Sequence, residues 1–382
     1  MLDPVRQEIV TNVDTIVVKV GTRVLTRDGG TLDTERVEAI GHELVRLVDD
    51  GRRVALVSSG AVGAGMGRLG LTSRPSDLAQ LQSVASVGQS RLIEAYNRAL
   101  ETHGRHAAQI LLTADDLNDR TRYLNVRNTI LALFRYGAIP IINENDTVRV
   151  DELQRNVGDN DQLAAMVTNL IRAPLLVLLS DVAGLYNGPP GDSDSSVIPV
   201  VNDLNQAIHQ FICDTNESNA WSKGGMRSKL EAAQIATAAG ENVIIADGRQ
   251  PGVLTQILQA EPLGTLFLAQ GPAITSKKRW IGFTAQPAGQ LQLDAGAVRA
   301  IVERRRSLLA IGVLTVIGQF AKGDVVTLAD EYGCELARGL INYHAEEMRK
   351  IAGHPSDQIV QLLGHCHYEE VVHRDNLVAL AR

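Results

Sequence analysis

Short runs of β-branched and aliphatic residues alternate with long amphipathic stretches through the first two thirds of the chain. Thr15–Val20 (TIVVKV) reads as a strand that is apolar on both faces and ends at Gly21. Residues 33–51 place apolar side chains at spacings of three and four, with acid in the first turn and a glycine stop, the signature of a helix. The alternation continues with strands predicted at 53–59, 108–113, 138–143, 174–181 and 242–247. Helices are expected over 77–101, 120–136, 161–172 and 226–240. Continuous apolar strands separated by helices predict an α/β fold, a mainly parallel sheet covered by helices on both faces as a three-layer sandwich. Ligands in such folds bind at the carboxyl ends of the strands. Those ends carry Lys19–Gly21, Ser58–Gly60, Asn143–Asp146, Ser180–Asp181 and Asp247–Gly248.

The pattern breaks at 269–276 (AQGPAITS). Beyond it GQLQLDAGA, GVLTVIG, GDVVTLAD and CELARGLINY are short and strand-like with glycine turns between them. The expected organisation is therefore an α/β domain over 1–268, a linker over 269–276, and a small all-β domain with a C-terminal tail over 277–382. A chain of 382 residues is long for a single core, which agrees with two domains.

Composition narrows the class. A net charge of −7 argues against nucleic-acid or membrane-surface binding by the whole chain. Residues 275–382 are close to neutral, with 13 Lys+Arg against 12 Asp+Glu, so the excess acid lies in the first part. The three cysteines show no CxxC spacing, which speaks for a reducing compartment and against a disulfide framework or zinc site. The opening residues lack a basic start followed by an apolar run, and no apolar run approaches 18 residues. A soluble cytoplasmic chain is the expectation.

Four segments carry candidate chemistry. Ser58–Gly70 (SSGAVGAGMGRLG) contains a formal GxGxxG at Gly65, Gly67 and Gly70. The match starts too far past the strand, and no acid follows at the proper offset for a dinucleotide site. Its Ser58-Ser59-Gly60 tip offers backbone N–H groups to an anion, a reading favoured over glycines that merely permit close packing. Lys19 sits inside an apolar strand, where a cation is costly without an anionic partner. Ser222–Lys229 (SKGGMRSK) sets Lys223, Arg227 and Lys229 around a glycine pair at a helix start. Cations there oppose the helix dipole unless a phosphate lies among them, although a solvated basic turn would look the same. The fourth segment, Ile142–Asp161, holds six carboxylates after a buried strand, a set fit for a metal, an amine or lysines. Preorganised cations and N–H groups converging on transferring oxygens are what phosphoryl transfer requires.

The ordered set VVKVGT, LVSSGAVGAG, INENDTV, VGDND, LLSDVAGLY and KGGMRSKLEAA resembles the glutamate 5-kinases of the amino-acid kinase family, over nearly the whole chain. GQLQLDAGAVRAI and GDVVTLAD look like the PUA domain that many bacterial members carry. The resemblance implies the amino-acid kinase fold with a C-terminal PUA-like barrel, and ATP-dependent phosphorylation of the γ-carboxylate of L-glutamate with Mg²⁺, the first step toward proline. It further implies a homo-oligomer and feedback inhibition by proline. Carried over by motif, Lys19 and Lys229 would meet the transferring phosphoryl group, and Ser59, Asp146 and Asn160 would bind glutamate. Lys19, Ser180 and Asp181, with the segment Lys223, Gly224, Gly225, Met226, Arg227, Ser228 and Lys229, would hold the nucleotide. Asp161 is expected to orient the two lysines, with Asp159 as its competitor. The chain departs from the family pattern at Arg23, where serine is usual, and at Lys223, where threonine is usual; both add a cation near the phosphates.

Two rival readings have distinct signatures. A kinase of the same fold acting on acetylglutamate, aspartate, carbamate or UMP would have less use for the acidic loop, which suits a free α-amine. RNA binding through the C-terminal domain would draw on Lys277, Lys278, Arg279 and Arg304–Arg306, but such short clusters in a near-neutral domain read better as a solvated helix face.

Overall fold

The computed structural model describes residues 3–148, 160–189, 192, 194–204, 225–270 and 275–380. Two compact units emerge, Met1–Leu117 with Thr121–Pro272, and Asn118–Arg120 with Ala273–Arg382. Among the described residues no helix is long and apolar enough to cross a membrane.

The first unit is built on an eight-stranded sheet. Its strands are β1 (Thr15–Val20), β2 (Arg53–Ser58), β3 (Ala107–Leu112), β4 (Ile139–Glu144), β5 (Leu175–Ser180), β6 (Val200–Val201), β7 (Asn242–Asp247) and β8 (Thr265–Phe267). They lie in the order β3-β4-β2-β1-β5-β7-β8-β6. Pairing is parallel from β3 to β7, and β8 runs antiparallel to β7. β6 and β8 are two and three residues long, too short to leave a periodic signal in the sequence.

Every residue of β1 is buried. Ile16, Val18 and Val20 join a core with Ile40 and Leu44 of the helix Thr34–Asp49 and Leu92 and Tyr96 of the helix Leu78–Glu101. Strand geometry turns Val17 and Lys19 to the opposite face. There the helix Asn160–Ile171 packs on β1 and against the helix Gly225–Ala238. Apolar side chains on both faces of one strand explain why its sequence runs without alternation.

The glycine-rich turn after β2 is a helix, Ala61–Leu69, started by Gly60 in a left-handed conformation (φ 104°). It lies so close to the helix Leu78–Glu101 that a Cβ on Gly65 would stand 1.9 Å from the Val84 carbonyl oxygen. A Cβ on Gly88 would come within 1.8 Å of the Ala61 carbonyl oxygen. Gly65 is thus a packing residue, and its place within a helix removes the dinucleotide turn that GxGxxG would need.

The second unit pairs β9 (Gly289–Leu293), β11 (Val313–Gly318), β12 (Val325–Ala329), β13 (Glu335–Leu340) and β15 (Leu377–Ala379) in the order β11-β9-β12-β13-β15. A second ladder joins β10 (Leu308–Leu309) to β14 (Glu370–Val372). Leu291, Val326, Leu328 and Ala337 form its core with Met348 and Ile351 of the helix Ala345–Ile351. GQLQLDAGA is strand only in its first half. Asp294 accepts the Ala297 N–H at 2.7 Å and starts the helix Ala295–Val302. The tail returns as β14 and β15, and Trp280 is buried as a packing residue.

Two stability outcomes follow from this packing. Gly65→Ala should destabilise the protein by about 3 kcal/mol, because the helices must separate. Gly67→Ala, whose Cβ would meet only the Thr31 side chain at 3.4 Å, should be neutral or stabilising by up to about 1 kcal/mol. Urea unfolding of the two variants provides the comparison. Glu43 is buried and accepts the Leu254 N–H at 2.8 Å; burial pushes its carboxyl up, against the opposing pull of the Leu254 and Thr255 amides and Arg36. The folded state therefore holds this proton more tightly than the unfolded chain, and stability is lost as pH rises through the interval between the two pKa values. Glu43→Gln, which keeps the acceptor, should raise the melting temperature at about pH 8 and leave it almost unchanged at about pH 4.

Candidate active site

The carboxyl ends of β4, β2, β1, β5 and β7 lie side by side, with β1 at the centre. The chain winds from β1 outward through β2 to β3 at the edge, returns to place β4 between them, and then crosses to put β5 on the other side of β1. This reversal opens a crevice at the end of β1, where open α/β sheets take their ligands.

Lys19 occupies that position, buried with 4% exposure. Its Nζ pairs with Oδ1 of Asp161, which is fully buried. The other carboxylate oxygen, Oδ2, lies 3.4 Å from Lys229 Nζ and accepts a hydrogen bond from Ser228 Oγ at 3.2 Å. Lys229 Nζ also donates to the Gly225 carbonyl at 2.8 Å, one turn back along its own helix. Each lysine therefore reaches one oxygen of the same carboxylate. Asp161 stands in the first turn of its helix, where the dipole favours an anion. Burying any of these charges alone would cost several kcal/mol, so the trio holds together as a unit. Two ammonium groups on one carboxylate leave it formally positive, the sign that suits phosphoryl oxygens.

On the β2–β4 side a cavity of about 150 Å³ is lined by residues including Thr22, Ser59, Gly60, Arg74, Asn143, Glu144, Asp146 and Asn160. Asn160 Nδ2 donates to Ser59 Oγ at 2.9 Å, Asn143 Oδ1 at 3.0 Å and the Ser58 carbonyl at 3.3 Å. Asn143 Oδ1 also accepts the Glu144 N–H, and its Nδ2 donates to Gln89 Oε1 at 2.8 Å. Ser58 Oγ lies 3.0 Å from the hydroxyl of Tyr96, whose phenol is pushed up by burial. Gln89 and Tyr96 come from one face of the helix Leu78–Glu101, so that helix fixes Asn143 and Ser58, two residues that accept from Asn160. Sequence reasoning marked the polar strand end Asn143–Asp146 but missed Gln89, Tyr96, Thr22 and Arg74. Gln89 and Tyr96 look in sequence like ordinary members of a long helix, and Arg74 lies in an aperiodic turn.

On the β5–β7 side Asp181 gathers two arginines. Arg23 Nη1 lies 2.9 Å from Asp181 Oδ2, and Arg249 Nη2 donates to the Asp181 carbonyl at 2.8 Å. Ser180 Oγ donates to Asp181 Oδ1 at 3.1 Å. Partial burial pushes the Asp181 carboxyl up, but Arg23 and Ser180 outweigh it and hold it below the usual range. Arg249 also grips Asp247 at 2.9 Å and holds that carboxyl low against its partial burial. The departure at Arg23 thus has a structural correlate, an ion pair to the strand end of β5.

Of the sequence-derived residues, the structure brings Lys19, Asp161, Ser228 and Lys229 together at the centre. Ser59, Asp146 and Asn160 share the cavity, and Ser180 and Asp181 adjoin on the opposite flank. Gly225 and Met226 open the helix that carries Lys229. Arg227 turns away to an exposed ion pair with Glu231 at 2.9 Å. Asp159, Lys223 and Gly224 lie outside the described residues, as do Asp151, Glu152 and Trp221.

Comparison with known proteins identifies the family. Residues 14–247 match the model of the amino acid kinase family, and residues 289–363 match the PUA domain. A glutamate 5-kinase of Rhodopirellula baltica is 47% identical over 374 residues, covering 98% of this chain and 96% of the relative. A glutamate 5-kinase of Moorella thermoacetica is 45% identical over 366 residues, covering 96% of each. Among solved structures, the carbamate kinase from Giardia lamblia bound to AMP-PNP superposes with a TM-score of 0.50 at 15% identity, over 68% of this chain and all of that one, a likeness of fold. The sequence motifs, the parallel sheet and these matches converge: the chain belongs to the amino acid kinase family, in its glutamate 5-kinase branch with a C-terminal PUA domain.

Proposed function

We propose that the buried trio Lys19–Asp161–Lys229 is the phosphoryl-transfer centre of an ATP-dependent kinase acting on the γ-carboxylate of L-glutamate. The observation that carries the assignment is a fully buried aspartate whose two oxygens each meet a lysine from a different element. The protein is a kinase that takes glutamate and ATP as substrates in proline biosynthesis, as its relatives' names and coverage indicate.

The reaction joins two anions. A γ-carboxylate oxygen attacks the terminal phosphorus of ATP, the bond to the bridging oxygen of ADP breaks, and γ-glutamyl phosphate forms. Repulsion between carboxylate and triphosphate is the first obstacle, and negative charge on the transferring oxygens is the second. Lys19 and Lys229 answer both with charges that Asp161 aims in advance, so little reorganisation remains during the reaction. Ser59, Asn160 and Asp146 bind glutamate on the β2–β4 side, and Asp146 takes its ammonium. The nucleotide lies on the β5–β7 side against Ser180, Asp181 and the start of the helix Gly225–Ala238, with Lys223 and Gly224 in the segment before it. Among the described residues no three His, Cys, Asp or Glu side chains converge on one point. Mg²⁺ belongs to this reading as an ion carried by the ATP phosphates, where it would neutralise part of their charge.

Proline as feedback inhibitor, a homo-oligomeric state and a cytoplasmic location belong to the same reading. RNA binding by the PUA domain is less favoured. Arg304–Arg306 directly follow the C-terminal end of the helix Ala295–Val302, where cations suit the helix dipole.

The test is an acceptor panel. ADP release should require L-glutamate, and hydroxylamine should trap the product as a hydroxamate. Turnover with acetylglutamate and none with glutamate would sink the assignment. Lys19→Ala and Lys229→Ala should each lower kcat by about 10²-fold or more. A near-normal kcat in either variant removes that lysine from the centre. Asp146→Ala should raise the glutamate KM and leave that for ATP almost unchanged; an altered ATP term would reassign the residue.

A further inference from the structure

The acceptor cavity is not lined by acid alone. Arg74, in the turn between the helices Ala61–Leu69 and Leu78–Glu101, contributes to its wall together with Glu144 and Asp146. Other arginines around the crevice have carboxylate partners: Arg23 with Asp181, Arg249 with Asp247, Arg227 with Glu231. The Arg74 guanidinium has no hydrogen bond or ion pair among the described residues. A cation and carboxylates around one small cavity match the two charges on the α-carbon of a free amino acid. The reactive end of the acceptor must lie toward Lys19, so the zwitterionic end lies toward the mouth, where Arg74 stands exposed.

Resting on the functional reading above, we infer that Arg74 binds the α-carboxylate of the acceptor and, with Asp146 on the ammonium, selects α-amino acids over simple carboxylates. A guanidinium meets a carboxylate through two parallel N–H donors, a geometry that a lysine at the same place reproduces only in charge. Arg74 is a specificity residue and touches no transferring atom.

The experiment compares L-glutamate with 4-aminobutyrate, which keeps the amine and the reacting carboxylate and lacks only the α-carboxylate. Arg74→Ala should raise the glutamate KM by about 10-fold, as expected for a charged hydrogen bond at an exposed site. The kcat and the ATP KM should stay within about twofold, and Arg74→Lys should recover part of the loss. For 4-aminobutyrate, followed by turnover or as a competitive inhibitor against glutamate, Arg74→Ala should change little, so the preference for glutamate shrinks. An unchanged glutamate KM, or equal losses for both compounds, overturns the inference. So does an effect on ATP alone. Wild-type protein without glutamate-dependent ADP release would instead overturn the functional reading, which separates the two failures.

Discussion

The buried carboxylate of Asp161 is the constraint around which the site is organised. An ammonium group in the middle of a sheet covered on both faces needs an anion within reach, and Lys19 has one only because the helix Asn160–Ile171 begins at that level. The same carboxylate draws Lys229 inward from the start of another helix. Strand, helix and helix thus meet through one side chain. Losing its charge would leave two buried ammonium groups facing each other, a far worse state than an apolar core of the same volume.

Sheet order then divides the labour. Because β1 lies between β2 and β5, the residues at the β2–β4 ends and those at the β5–β7 ends are separated by the lysine that both sides share. On the β2–β4 side, amides and hydroxyls are joined by hydrogen bonds, with Asn160 bridging Ser59 and Asn143, and Asn143 tied to Gln89. The opposite half is held by arginine–carboxylate pairs that reach solvent. The first arrangement favours shape and hydrogen-bond recognition of a small solute. The second suits a large polyanion, since exposed arginines can exchange one anionic partner for another.

Much of this was legible in the sequence, for identifiable reasons. Strands buried on both faces announce themselves as unbroken apolar runs, so β1, β2, β4, β5 and β7 could be placed along the chain directly. Lys19 stood out because it interrupts such a run, and Asp161 because acid gathered after another. The trio itself required the fold, since 142 positions separate Lys19 from Asp161 and 68 more lead to Lys229. Gln89 left no trace because a polar residue in a long amphipathic helix is ordinary until its neighbour is known. Arg74 lies in a turn, where no periodicity reports what a side chain faces. GxGxxG, set aside on its offset, matches in form only: its first glycine answers to Val84 on a neighbouring helix.

The pairing of Lys229 with Asp161 has a further meaning for local stability. The first turn of a helix is where backbone N–H groups lack partners and where fraying begins, whereas a central strand opens only with the whole domain. Here the end of the helix Gly225–Ala238 is fastened, through one carboxylate, to a fully buried central strand of the sheet. One cation of the pair is therefore a fixed post and the other is the hand that holds it. Fraying of the helix end would therefore displace Lys229 and leave Lys19 in place.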